Sequence, residues 1–448
     1  MSDRYQFLAH TPVGQFVVKS LGLPDPPTLR RHGPGEPLVD GSVLLGATTD
    51  GRLLGPVQAQ LDAAGVTVAT ETAEGEHHCG LVFDATGIAG VADLVALRDF
   101  FAPRLRPLQS HGRVVVLGTP PSAAGDASAA IAQRALEGFT RSLAKEVGRG
   151  STVQLVYVEP GFEDALTSTL LFLLSAKSAY VSGQVIRVGA TGSPGAPPVV
   201  DATTPLSGKV ALVTGASRGI GAAIARVLTR DGATVVGLDV AQAADELLGS
   251  TRGLGGSAVV LDITTADAPQ RIAAKLAERH GGVDIVVHNA GITRDKKLAN
   301  MPANHWTSTI DVNLGAPRRI TDELLAQDLI RPNGRIIGVA SIAGIAGNPG
   351  QTNYATSKAG VIGMVDRLSS SLAGTDITVN AVAPGFIETQ LTAAIPLLLR
   401  EAGRRMNSMS QGGLPVDVAE TIAWFADPRS SAVRGNVVRV CGQSLLGA

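Results

Sequence analysis

The stretch "KVALVTGASRGIGAAIARVLTRDG", Lys209 to Gly232, decides the fold. It opens on a short apolar run and passes three glycines, Gly215, Gly219 and Gly221. It then enters an amphipathic segment that stops at Gly232. A strand that turns through glycines into a helix gathers free backbone N–H groups and a positive dipole end at one point. Glycines also let a pyrophosphate approach the backbone closely. Gly215, Ser217, Arg218, Gly219, Ile220 and Gly221 therefore form the first candidate cofactor-binding loop, against the competing reading of a plain tight turn. The next apolar run, "ATVVGLDV", carries Asp239 at its end. A carboxylate there accepts ribose hydroxyls and repels a 2′-phosphate, which favours NAD(H). Arg218 inside the loop argues for NADP(H), the alternative.

Further runs follow at regular intervals: "SAVVLDI", "VDIVVHNAG", "GRIIGVAS", "ITVNAVAPG" and "GNVVRVCG". Near-continuous Val, Ile and Leu between helical segments predicts parallel strands covered on both faces. Right-handed crossovers then give a doubly wound sheet. Ligands of such sheets sit at the C-terminal strand ends. That places Asp262, Ile263, Asn289, Ala290 and Gly291 beside the same cofactor, with Asp262 reaching an adenine or, at even odds, capping a helix. Ser341 ends the fifth run, and Tyr354 and Lys358 follow one helical turn apart. A phenol with a free pKa of about 10 is a poor acid at neutral pH. A neighbouring ammonium is expected to lower that pKa and make the tyrosine a proton donor, with Ser341 fixing the substrate oxygen. Asn313 alone reads as an ordinary helix asparagine.

A Pro-, Gly- and Ser-rich seam at residues 190–209 divides the chain. Before it, the second half returns in reduced form. "VFDATGI" matches "VVHNAGI", "GRVVVLGT" matches "GRIIGVAS", "VYVEPGF" matches "NAVAPGF", and "GQVIRVGA" matches "GNVVRVCG". Four matches in one order read as an internal duplication, with one strand–helix unit missing from the first copy. The expected organisation is an N-terminal arm (1–40), a degenerate flavodoxin-like Rossmann domain (41–190), a linker (191–207) and a complete domain (208–448). The helix "AAIAQRALEGFTRSLAKEV" puts Ala129 and Gln133 where Tyr354 and Lys358 stand. Thr119 takes the place of Ser341, and Asp50 that of Gly219, where an acid would repel a pyrophosphate. The first domain is thus expected to be non-catalytic and structural, a retired subunit.

The 448 residues carry a formal net charge of −1, which gives no global field toward nucleic acid or a membrane. Two cysteines stand in no metal or redox spacing, so no metal is expected and a reducing compartment fits. No run reaches the ~20 apolar residues of a membrane span. The expectation is a soluble, cytoplasmic protein.

Together "TGASRGIG", "NAG", Asn313, Ser341, Tyr354, Lys358 and "PGFIET" resemble the short-chain dehydrogenase/reductase family. "NAGITRDKKLANM" and the C-terminal region look most like its 3-oxoacyl-acyl-carrier-protein reductases. The two-copy arrangement resembles the high-molecular-weight, NADH-associated form of mycobacteria and relatives. The resemblance implies that Tyr354 protonates, Lys358 holds the nicotinamide ribose and tunes Tyr354, Ser341 orients the carbonyl, and Asn313 keeps a water relay. It implies that Pro384, Gly385, Ile387 and Thr389 border the nicotinamide, and that residues 390–413 form a mobile lid over an acyl chain. It also implies a 3-oxoacyl-CoA or acyl-carrier-protein thioester as substrate, in fatty-acid metabolism. Arg400, Arg404, Arg405 or the pair Arg318–Arg319 are candidates for contacting a phosphopantetheine or an acidic carrier. A homodimer mimicking the family's tetramer is expected. Reduction of another ketone or secondary alcohol is the alternative, because the same residues would serve any carbonyl.

Overall fold

The apolar runs become strands of two parallel sheets in the computed structural model, which describes residues 3–73, 75–189, 200–393 and 395–444. The first sheet holds β1 (Val43–Ala47), β2 (Val68–Ala69), β3 (Gly80–Asp84), β4 (Arg113–Gly118), β5 (Thr152–Val158) and β6 (Gln184–Val188) in the order β2-β1-β3-β4-β5-β6. The second holds β7 (Val210–Thr214), β8 (Thr234–Asp239), β9 (Ser257–Val260), β10 (Val283–His288), β11 (Ile330–Val339), β12 (Thr378–Pro384) and β13 (Val437–Val440). Its order is β13-β12-β11-β10-β7-β8-β9. Read in the same direction the two orders coincide, except that the first sheet lacks a counterpart of β9. That is the unit expected to be missing.

The duplication extends to buried polar side chains. Arg113 at the start of β4 and Arg335 midway along β11 hold matching places in the two sequence copies, and both spend their guanidinium on backbone carbonyls, Arg113 on Ser175 O and Gly150 O and Arg335 on Asn333 O and Pro428 O among others. Burial pushes each down to about 10. Gln154 on β5 bonds Val181 O and accepts from Gln184 N. Asn380 on β12 does the same with Val433 O and Asn436 N. Each amide thus fixes its own edge strand.

The chain forms two compact units that are not contiguous halves. One takes the chain up to residue 189 with Phe386–Gly413 and residues 440–444; the other takes residues 200–385 and 414–439. Most of the expected linker, residues 191–199, and the last four residues lie outside the described residues. The core of the first unit is built on Phe83, Phe100, Phe101 and Phe139, whose rings pack within 4.7–5.8 Å of one another. That of the second is almost wholly aliphatic, with Leu212, Val286, Ile336 and Ile320 fully buried. Among the described residues no helix is long and apolar enough to cross a membrane.

In the first unit the positions matching the candidate site residues of the second half are filled by structural bonds. Gln133 is buried; its Oε1 accepts from Thr119 N at 2.8 Å and its Nε2 donates to Ala85 O at 2.8 Å and Ile88 O at 3.0 Å. The helix Leu54–Ala63, equivalent to the one after the glycine loop, is met by the buried Asp84 carboxylate. Its Oδ2 accepts from Leu53 N at 2.6 Å and Leu54 N at 3.1 Å. Asp50, expected to repel a pyrophosphate, is exposed. The anion at this helix N-terminus comes from Asp84 instead.

Candidate functional site

At the end of β7 the chain turns through Gly215, with φ +68°, and enters the helix Gly219–Arg230 through Gly219, with φ +57°. This helix carries no side-chain cap, unlike its Asp84-capped counterpart. A Cβ on Gly221 would stand 1.9 Å from Gly215 O and 2.6 Å from Asn289 Nδ2, so only glycine fits. Asn289 ties the next strand end to the loop, donating Nδ2 to Thr214 O at 2.9 Å and Gly215 O at 3.1 Å. Ala290 N donates to Thr214 Oγ1 at 3.0 Å. The Asp239 carboxylate accepts from Ser217 N at 3.1 Å and Val240 N at 2.9 Å. It therefore belongs to the loop and keeps lone pairs for a further donor. Arg218 is exposed beside it. An uncapped helix N-terminus, a glycine cradle closed to any Cβ and a strand-end carboxylate fit a dinucleotide.

Asp262 is exposed, and its Oδ1 accepts from both Thr264 N and Thr264 Oγ1. It makes a turn with its own neighbours and does not cap the following helix, which starts after Asp267. Ile263 is buried in the core.

Ser341 follows β11 and caps the helix Ile342–Ala346 through Ala343 N. Tyr354 and Lys358 share the helix Thr352–Ser371. The Ser341 side chain acts on the Tyr354 phenol in the direction that lowers its pKa. Lys358 is buried, and its Nζ donates to Val339 O at 2.7 Å and lies 5.7 Å from the Tyr354 ring centre. Here one expectation is corrected. Burial raises the Tyr354 pKa, the Asp295 charge adds to this, and the opposing effect comes from Ser341. Burial also pushes Lys358 down to about 8. Desolvation of two adjacent groups outweighs the help the ammonium was expected to give.

Asn313 sits in a π-helical turn, Asp311–Gly315, between the helices Ala303–Ile310 and Ala316–Ala326. It is buried, accepts from Ile292 N at 2.8 Å, and donates to Ile292 O and Ser357 Oγ, each at 3.0 Å. Such turns recur where a helix is bent to aim a side chain. A Cβ on Gly291 would meet Asn313 Oδ1 at 3.3 Å and Lys358 Nζ at 3.5 Å, so the strand-end glycine runs beside both. Gly215, Gly221, Asp239, Asn289, Ala290, Gly291, Asn313, Ser341, Tyr354, Lys358, Pro384 and Gly385 thus belong to one unit, clustered at the C-terminal strand ends. Ile387 and Thr389 fall in the other unit, where Ile387 bridges Gly413.

Two residues were missed. Asn353 is fully buried and donates to Arg294 O, His305 O and Thr309 Oγ1, each at 3.1 Å. Ser357, also fully buried, links Tyr354 O to Asn313. The available signal was polar residues one before and three after the tyrosine on its helix. The candidate arginines are largely committed. Arg404 is buried against Glu388 and Glu401, and Arg405 binds Asp3. Arg318 and Arg319 pair with Asp322 and Asp311.

Residues 215–442 match the family described as Enoyl-(Acyl carrier protein) reductase. The chain is 42% identical over 240 residues to the 3-oxoacyl-(acyl-carrier-protein) reductase FabG of Thermotoga maritima, covering 53% of this chain and 98% of the relative. It is 39% identical over 237 residues to FabG of Vibrio cholerae, covering 53% and 97%. A protein described as Nodulation protein G of a Rhizobium strain is 40% identical over 238 residues, covering 53% and 97%. With the sheet order, the glycine loop and the Ser341–Tyr354–Lys358 cluster beside them, these matches mean that the chain belongs to the short-chain dehydrogenase/reductase family.

Proposed function

We propose that the protein reduces a 3-oxoacyl thioester, carried by an acyl-carrier protein or CoA, to the 3-hydroxyacyl thioester. The observation that carries this reading is the grouping of Ser341, Tyr354 and Lys358 in the unit whose strand ends also bear the glycine loop, with Lys358 Nζ 5.7 Å from the Tyr354 ring centre. A serine hydroxyl and a tyrosine phenol in one cluster suit a single carbonyl oxygen. The relatives' names add the thioester class. A nicotinamide cofactor, when bound, supplies the hydride. Tyr354 donates the proton to the carbonyl oxygen, and Ser341 orients that oxygen. Lys358 and Asn313, both beside Gly291, support the proton path. Asp239 favours NADH over NADPH.

The first unit is non-catalytic in this reading, since Ala129, Gln133 and Asp84 leave it neither a proton donor nor an open helix terminus. The working assembly is a homodimer. The family description favours a second reading, reduction of a 2-enoyl thioester. A steady-state panel tests both: acetoacetyl-CoA, longer 3-oxoacyl thioesters, 2-enoyl thioesters and an unactivated ketone, each with NADH and NADPH. Turnover of the 3-oxoacyl thioesters with an NADH preference is expected. Turnover confined to enoyl thioesters or to simple ketones would overturn the proposal.

A further inference from the structure

Residues 386–413 leave β12 directly after Pro384 and Gly385 and return at Leu414 to the helix Pro415–Ala426, yet they pack in the first-half unit. Two sets of contacts hold them there. Tyr180, fully buried, donates its hydroxyl to Gln411 O at 2.7 Å, and its own carbonyl accepts from Gly442 N at 2.9 Å. A Cβ on Gly413 or Gly442 would come within 2.4 or 2.6 Å of the Tyr180 ring, so the segment's end and the C-terminal tail are both shaped to this side chain. The second set comes from the N-terminal arm. The Asp3 carboxylate takes Arg405 Nη1 at 2.6 Å and Nη2 at 2.8 Å, with the Tyr5 ring 4.5 Å beneath the guanidinium. Gln411 Nε2 also donates to Pro27 O at 2.7 Å.

We propose that Tyr180 and Asp3 are positioning residues for substrate: the first-half unit and its arm hold residues 386–413 in the form that receives the acyl chain. This rests on the reading of that segment as the acyl lid and of the substrate as a 3-oxoacyl thioester. A free lid must be ordered each time substrate binds, and that ordering subtracts from affinity. A lid already fastened binds the acyl chain without the loss. The role is read on substrate binding, because the two residues make contacts with residues 386–413 and the C-terminal tail.

The full-length variants Tyr180→Phe, Asp3→Asn and Asp3→Glu test it. Tyr180→Phe keeps the ring and removes one hydroxyl; Asp3→Asn keeps the shape and removes the charge. Hydrogen exchange across 386–413 should accelerate severalfold in the first two. KM for a long-chain 3-oxoacyl-CoA should rise about fivefold to tenfold, in line with one lost hydrogen bond or charged pair. KM for NADH and kcat at saturating substrate should stay within about twofold. Asp3→Glu should restore both readouts. Unchanged exchange and KM in both variants would overturn the proposal. So would an equal rise in KM for NADH, which would signal general loosening. Absence of 3-oxoacyl reduction in the unaltered enzyme would instead remove the functional reading, and the exchange measurement would still report on the holding.

Discussion

The Tyr354 phenol, the proposed proton donor, is burdened by burial, and Lys358 is burdened too. Tyr354→Phe is expected to lower kcat by at least about a hundredfold, the low end for a general acid, while cofactor titration by fluorescence shows NADH binding nearly intact. Substantial residual turnover would mean that another group donates. His288, one position before Asn289, is wholly buried and bonded through Nε2 to Thr321 Oγ1 at 2.8 Å. Burial lowers its pKa to about 4 from an ordinary 6.5. Between those values the unfolded chain binds more protons than the folded one, so stability falls as pH drops from about 6.5 to about 4. Denaturant melts of His288→Gln should lose roughly 3 kcal/mol of that acid-side slope, using 1.36 kcal/mol per pKa unit. The motif residues were legible because a loop, a strand end and a helical turn each display them locally. Asn353 and Ser357 were not, since their partners lie 44–59 residues away.

The two helices that follow β1 and β7 have the same place in their sheets and opposite termini. One is stopped by a carboxylate from 30 residues away, the other ends in bare glycine backbone. Asp84→Ala should therefore destabilise the protein by about 1–3 kcal/mol, the cost of stranding buried donors. Thermal melting would register this while kcat for the second unit stays unchanged; an unaltered melt would remove Asp84 from the account. Sequence pattern found the helix after the glycine loop, because glycines and apolar periodicity are local signals, and did not single out the one after β1. Before that first helix it offered only Asp50, as an acid in the loop that would repel a pyrophosphate, since nothing local announces a cap contributed by another strand.

The duplication was legible as four matched segments, and the equal roles of Gln154 and Asn380 carry it into the packing. The discontinuous division of the molecule was not legible. It depends on where residues 386–413 and 440–444 find their neighbours, and these neighbours are hundreds of positions away. Deleting residues 1–200 should leave those segments without Tyr180, Asp3 and Arg141 and impair stability or association, as read by limited proteolysis and light scattering. A fully active, normally assembled truncation would argue against this. The Asp84 cap bears on the history of the chain as well as its stability. Restoring a glycine in the first loop would not reopen the nucleotide site, because a carboxylate already fills the helix end. Removing that carboxylate alone would strand two N–H groups, and replacing Gln133 by lysine would strand Thr119 N. Each single backward step is uphill before any activity could return, so on the proposed reading of the first domain as non-catalytic its loss of function works as a ratchet.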